Sequence, residues 1–223
     1  MRKIQIAIDG PAGAGKSTVA RQVASNLNYL YIDTGAMFRA LTYEAIKANI
    51  HFSDAAGLKK LLENTEIHLI QDKVGQKVIV NGEDVTEAIR SQEVTNAVSK
   101  VAVHKEVREE MLTRQRFLAK NGGVVMDGRD IGTCVLKDAA LKIFLTASVE
   151  ERARRRFEEL LSKGVSTNLD ELQTEIELRD RQDSEREIAP LKKAEDAIVI
   201  DSTNLSIQEV VNKILGLVKE RNG

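Results

Sequence analysis

Apolar positions switch between two spacings along the chain, and the switching predicts a layered α/β architecture. Residues 4–8, IQIAI, are a short apolar run entering a glycine-rich turn, the pattern of a buried strand. In residues 16–27 Val19, Val23, Ala24 and Leu27 recur at helical spacing on one face. Residues 30–32 read as a second strand and 35–48 as a second helix. A β-α-β-α order predicts a parallel sheet with helices on both faces.

Residues 53–103 depart from that order. Ser53 is placed to cap a helix running to Leu62. Residues 67–71 and 77–80 alternate like hairpin strands, joined across Asp72-Lys73-Val74-Gly75-Gln76, and Asn81-Gly82 signals a further turn. Helical segments follow around residues 85–89 and from Glu93. The whole piece reads as a small inserted α+β subdomain. The regular alternation then resumes. A charged helix over 104–120 ends at Asn121-Gly122-Gly123, and strands follow at 124–126 and 141–145. Gly164 stops a helix over 148–162, and the next runs from Asn168 or Leu169 to Glu187, stopped near Pro190. The last strand is 197–200 and the last helix 206–221. The expectation is a single α/β domain over 1–223 with one insertion.

Composition narrows the classes. With 42% hydrophobic and 30% charged residues in 223, the chain reads as soluble and globular. A net charge of −1 gives non-specific nucleic-acid binding no electrostatic support. The one cysteine, Cys134, excludes an internal disulfide, fits a reducing compartment and reads as a packing residue. Met1-Arg2-Lys3 does not open a signal peptide, and no run approaches the ~20 apolar residues of a membrane span. His51, His68 and His104 are scattered, which argues against zinc. A cytoplasmic monomer with no membrane or nucleic-acid partner is expected.

The decisive chemistry is GPAGAGKST, Gly10 to Thr18, which matches the phosphate-loop pattern G-x-x-x-x-G-K-S/T with a strand before it and a helix after. Gly10, Gly13 and Gly15, with Pro11, Ala12 and Ala14 between them, let backbone N–H groups close on phosphate oxygens. The helix from Lys16 points its positive end at the same place. Lys16 can reach the β and γ phosphates, and the Ser17 hydroxyl can sit on Mg²⁺. The chain is therefore expected to bind a nucleoside triphosphate.

What receives the γ-phosphate is a separate question. A guanine-reading N-K-x-D is absent, since Asn212-Lys213-Ile214-Leu215 lacks the aspartate. Arginines crowd residues 152–186: Arg152, Arg154, Arg155, Arg156, Arg179, Arg181 and Arg186. Arg179, Asp183 and Arg186 stand at i, i+4 and i+7, placed to share a helix face that could bind a phosphorylated sugar; an intrahelical ion-pair ladder is the competing reading. In MDGRDIGT, Met126 to Thr133, Asp127 ends an apolar strand where a carboxylate would meet Mg²⁺ or its waters, and Arg129 and Asp130 follow at the same sheet edge. Asp33-Thr34-Gly35 raises the alternative of an aspartic protease. That chemistry needs two such carboxylates, and the nearest echo, Asp201-Ser202-Thr203, lacks the glycine. A helix from Met37 replaces the strands of such a fold. The motif is better placed facing an acceptor, with Arg39 one turn into the helix as a phosphate ligand.

In this order, GPAGAGKST, DTGAMFR, RSQEVTNAVSKVA, MDGRDIGT and RDRQDSERE resemble the bacterial cytidylate kinase family over essentially the whole chain. The resemblance implies the P-loop nucleoside monophosphate kinase fold, with five parallel strands. It implies a monophosphate-binding insert at 61–101, a lid at about 148–168, and transfer of the γ-phosphate of ATP to CMP or dCMP with Mg²⁺. By position, Arg39, Arg129 and Arg186 would hold the CMP phosphate. Thr34, Ser99, Arg108 and Asp130 would surround the base, and Arg179 and Asp183 would bind ribose. Lid arginines among Arg152, Arg155 and Arg156 would close over the transferring phosphate. The family often has serine at the position of Thr34, which keeps the hydroxyl.

Overall fold

The computed structural model describes residues 3–72 and 75–222. Lys73 and Val74, in the expected hairpin turn, lie outside the described residues. The elements run β1 (Gln5–Asp9), α1 (Lys16–Leu27), β2 (Leu30–Asp33), α2 (Thr34–Lys47), α3 (Ala55–Glu63), β3 (Ile67–Gln71), β4 (Gln76–Val80), β5 (Glu83–Asp84), α4 (Gln92–Val101), α5 (Lys105–Ala119), β6 (Val124–Gly128), β7 (Leu141–Thr146), α6 (Val149–Ser162), α7 (Leu169–Glu185), β8 (Ile198–Asp201) and α8 (Ile207–Asn222).

Five strands form the expected parallel sheet in the order β2-β6-β1-β7-β8. One face is filled by Ile6, Ile8, Ile143 and Leu145 against Val19 and Val23 of α1 and Val210 and Ile214 of α8. The other packs Ala7, Ile32 and Met126 against Ala119 of α5 and Ile131, Val135 and Leu136. Register aligns the carboxyl ends: Asp127 lies opposite both Ile8 and Asp33, and Asp9 opposite Gly128. Three acidic residues thus arrive together at the edge where ligands of open α/β sheets gather.

A second, antiparallel sheet, β3-β4-β5, sits in the segment read as an insertion. Its β4–β5 turn is Asn81-Gly82, both with positive φ (49° and 86°), which suits a two-residue hairpin. Alternation in β4 buries Val78 and Val80, which pack with Val85 and Ile89 against Ala36 and Ala40 of α2. Helix α2 also packs Met37 and Leu41 against α3 and α5, so it is the wall shared by both halves. The second sheet also seals an edge of the first. Gln71 Nε2 and Gln76 Nε2 donate to Tyr31 O at 2.7 and 2.6 Å, and Gln76 Oε1 accepts from Asp33 N at 3.3 Å. Two side-chain amides replace the neighbour strand that β2 lacks.

Some local expectations need correction. Asp54, not Ser53, caps α3: its Oδ1 accepts from Gly57 N at 2.9 Å, while Ser53 Oγ lies 2.7 Å from His51 Nδ1. Helix α7 ends at Glu185, two residues before the expected stop, and Arg186 leaves it with ψ 140°. Ala189 then takes a positive φ of 49° ahead of Pro190, so the i+7 position of the proposed helix face is the cap. A π-helical turn, Ile131–Val135, follows β6. Among the described residues no helix is long and apolar enough to cross a membrane.

Candidate active site

The loop of residues 10–18 joins β1 to α1. Gly10, at φ 151°, is required by space as well as conformation, because a Cβ there would run into the carbonyl oxygen of Leu145. Lys16 is only 6% exposed, and its Nζ donates to Pro11 O at 2.7 Å, folding the side chain back over the loop. Burial, then repulsion from Arg129, brings its ammonium down to about 7. Ser17 Oγ donates to Asp127 Oδ2 at 2.9 Å, and Tyr31 Oη donates to Asp127 Oδ1 at 3.0 Å. Burial, then the charge of Asp33, pushes Asp127 up to about 7. Thr34 Oγ1 donates to the Asp127 carbonyl at 2.7 Å, so α2 is pinned to the same residue.

Asp33 acts as the cap of α2, accepting from Ala36 N at 2.8 Å, and pairs with Arg39 at 2.8 Å. The aspartate of the Asp-Thr-Gly motif is thus occupied with helix capping and with aiming Arg39. Arg39 enters an open cleft lined by Thr34, Gly35, Phe38, Arg39, Val98, Ser99, Ala102, Arg108, Gly128, Arg129, Asp130, Arg179, Asp183 and Arg186. Every residue assigned to the acceptor side lines it except Asp33, which stands behind Arg39. Gly128 makes the close packing possible: a Cβ on it would lie 2.6 Å from Thr34 Oγ1.

Inside the cleft five arginines face two carboxylates. Asp183 accepts from Arg129 Nε at 2.8 Å and lies 3.7 Å from Arg186, which is also 3.7 Å from Asp130; Arg108 pairs with Asp130. Burial would raise Asp183, but Arg129 and Arg179 hold it below its usual value. Burial, followed by repulsion from neighbouring guanidiniums, lowers Arg179 and Arg186 to about 10. Among the described residues, buried Arg39 Nε, Arg108 Nε, Arg179 Nε and Arg186 Nη2 have no hydrogen-bond partner. Crowded, partly unpaired guanidiniums are what a phosphate-bearing ligand would satisfy.

The three lid candidates differ. Arg152 is buried, with Nη1 donating to Ala12 O at 3.0 Å and Nη2 paired with Asp180 at 2.7 Å. Arg155 donates to Ser202 O at 2.6 Å and reaches the loop, since a Cβ on Gly15 would lie 3.9 Å from its Nη1. Arg156 pairs with Glu159 at 3.0 Å.

The cytidylate kinase family pattern matches residues 6–220. The chain is 64% identical over 220 residues to a cytidylate kinase of Geobacillus sp. (strain WCH70), covering 99% of this chain and 98% of that one. It is 59% identical over 221 residues to a cytidylate kinase of Bacillus subtilis (strain 168), covering 99% of each. This chain belongs to the cytidylate kinase family. Among known structures, shikimate kinase from Bacteroides thetaiotaomicron superposes with a TM-score of 0.51 at 15% identity, covering 98% of this chain and 99% of that one, a likeness of fold.

Sequence reasoning missed several residues of this cytidylate kinase family site. Phe38, Val98 and Ala102 give the cleft an apolar wall, and the Arg108 guanidinium lies 5.4 Å from the Phe38 ring centre. Phe38 precedes Arg39 and Val98 precedes Ser99, so helix phase was the available signal. Tyr31 and Gln76 act through strand register, and nothing in the sequence pairs them with their partners. Asp9, buried and pushed up to about 6 by that burial, lies between the apolar run 4–8 and the loop motif and belongs to neither pattern.

Proposed function

We propose that the arginine-lined cleft holds the phosphate, ribose and base of CMP or dCMP while the loop of residues 10–18 holds ATP. In keeping with its family, the chain transfers the γ-phosphate of ATP to CMP or dCMP, giving ADP and CDP or dCDP. The observation that carries the site assignment is the cluster, among the described residues, of buried guanidinium nitrogens without hydrogen-bond partners in one cleft whose Arg129 feels the charges of Lys16 and Asp127.

In this reading Lys16 and the loop N–H groups hold the ATP phosphates. Arg39, Arg129 and Arg186 hold the CMP phosphate, and Arg179 and Asp183 take the ribose. Thr34, Ser99, Arg108 and Asp130 surround the base. The acceptor is already an anionic nucleophile, so no general base is required. The task is to bring two anions into line and offset developing charge. Ser17 and Asp127 fit magnesium: both offer hard oxygens 2.9 Å apart, and this ion takes its remaining ligands from phosphate and water. Held by Ser17 and Asp127, magnesium would offset negative charge on the ATP phosphates. Residues 148–168 form the lid, with Arg152 and Arg155 nearest the loop and Arg156 needing closure to reach it. Residues 61–101 form the insert that brings Ser99, although position 61 falls inside α3. The enzyme works as a cytoplasmic monomer without nucleic-acid or membrane partners.

The test is ADP formation from Mg-ATP with CMP, dCMP, UMP, AMP, GMP, shikimate or no acceptor. Rapid turnover with CMP and dCMP alone is expected. Preference for another acceptor would overturn the base pocket, and equal ADP release without acceptor would overturn transfer itself.

A further inference from the structure

Asp9 is the last residue of β1, immediately before Gly10 opens the phosphate loop. Its carboxylate bonds to the turn after β6, within reach of the Lys16 charge. Oδ1 accepts from Ile131 N and Oδ2 from Gly132 N, both at 2.7 Å, in a buried setting. These are the first two residues of the π-helical turn that follows Arg129 and Asp130.

The first N–H groups of a helical turn have no partner within it, and the preceding aspartate normally supplies one. Asp130 holds that position and makes no such bond. Its carboxylate faces the cleft instead, toward Arg108 and Arg186. Asp9 therefore caps the turn from a different strand, and a negative charge at the start of a turn is favourable there. Gly132 leaves room for it: a Cβ would lie 3.3 Å from Asp9 Oδ2 and 3.1 Å from Lys142 Cδ.

We infer that Asp9 is a positioning residue for the acceptor site, which caps the turn after Asp130 and so leaves the Asp130 carboxylate free to hold Arg108 toward the base and Arg186 toward the phosphate of the incoming nucleotide. The inference rests on the assignment of the cleft to CMP. Asp9 also ties the two substrate sites together, by a peptide bond to Gly10 on one side and by hydrogen bonds to Ile131 and Gly132 on the other.

The experiment compares binding of CMP and of ATP, each alone, to the full chain and to Asp9→Asn by calorimetry. Asparagine keeps one acceptor oxygen and turns an NH₂ toward the second N–H, so Asp130 is drawn back to the turn. CMP affinity is expected to fall about tenfold or more, the scale of a lost charged hydrogen bond, with ATP affinity within about twofold. Unchanged CMP affinity, or equal losses for both ligands, would overturn the role. A parent chain that binds no CMP would overturn the cleft assignment and this inference together. Should Asp9→Asn fail to fold, hydrogen exchange on the parent chain still decides: the Ile131 and Gly132 amides are expected to be strongly protected, and free exchange at both would overturn the capping.

Discussion

The loop proposed to hold the donor and the cleft proposed to hold the acceptor sit at one sheet edge but are built on opposite principles. The donor side is one contiguous stretch, Gly10 to Thr18, whose binding groups are mainly backbone N–H groups at a helix start. The acceptor side is assembled from α2, α4, α5, the turn after β6 and the end of α7, and its binding groups are side-chain charges. A backbone site depends on its glycines, which hold positive φ at Gly10, Gly13 and Gly15, and on the charge at its centre. A side-chain site is sensitive at each contributor, and in different ways for phosphate, sugar and base. Asp127 stands between the two, taking Ser17 on its carboxylate and Thr34 on its carbonyl.

The largest effect that sharpens this contrast is expected for Lys16→Ala. Turnover should fall by about 10³-fold or more, on the scale of losing a cation from a phosphoryl-transfer site. The fold should survive, since the lysine is a buried charge lowered toward neutrality rather than a packing residue. Steady-state rates beside thermal melting check both; normal turnover would remove the loop from the chemistry. Next comes Asp183→Asn, which keeps shape but removes the charge between Arg129 and Arg186. The ratio of CMP to dCMP efficiency should change about tenfold if the carboxylate meets the 2′-hydroxyl. An unchanged ratio would restrict Asp183 to aiming the arginines.

The smallest effect concerns stability. The folded Asp127 carboxyl titrates near 7, above its unfolded value, so the folded state holds a proton that the unfolded chain has released. Stability then falls as pH rises through that interval, and the cost is fully present above about 7. Asp127→Asn has no such cost. It should melt a few degrees higher than the parent at pH 8 and show little or no advantage at pH 4, at about 2–4 °C per kcal/mol for a chain of this size. A melting difference that does not grow with pH would contradict the buried charge.

The same contrast explains how much was legible in the sequence. The donor loop could be read directly because its geometry is encoded locally by glycines at fixed spacing. The five parallel strands and the separate hairpin followed from periodicity, since a buried parallel strand and an alternating surface strand leave different patterns. Most cleft residues were reached by strand ends and helix spacing, namely Thr34, Arg39, Arg129, Asp130, Arg179, Asp183 and Arg186, while Ser99 and Arg108 came only through the family resemblance. What escaped depended on register or on competition between neighbours. Gln76 matters because β2 lacks a neighbouring strand, and Asp9 because Asp130 is occupied elsewhere. Ser53 and Asp54 are both capping residues, and tertiary placement chose the second. Arg186 was put on a helix face that ends one residue too early, because Ala189 and Pro190 turn the chain away.

The most direct measurement of the central claim, that the acceptor cleft recognises phosphate through side-chain charge, is the affinity of CMP and of free cytidine for the chain and for Arg186→Ala. The Arg186 side chain is only 6% exposed, and one of its guanidinium nitrogens lacks a hydrogen-bond partner among the described residues. CMP should lose about tenfold to a hundredfold in affinity and cytidine almost none, because only CMP carries the group that satisfies that nitrogen. Equal losses for both ligands would mean that Arg186 holds the cleft together without reading phosphate, and the account of the acceptor site would be wrong.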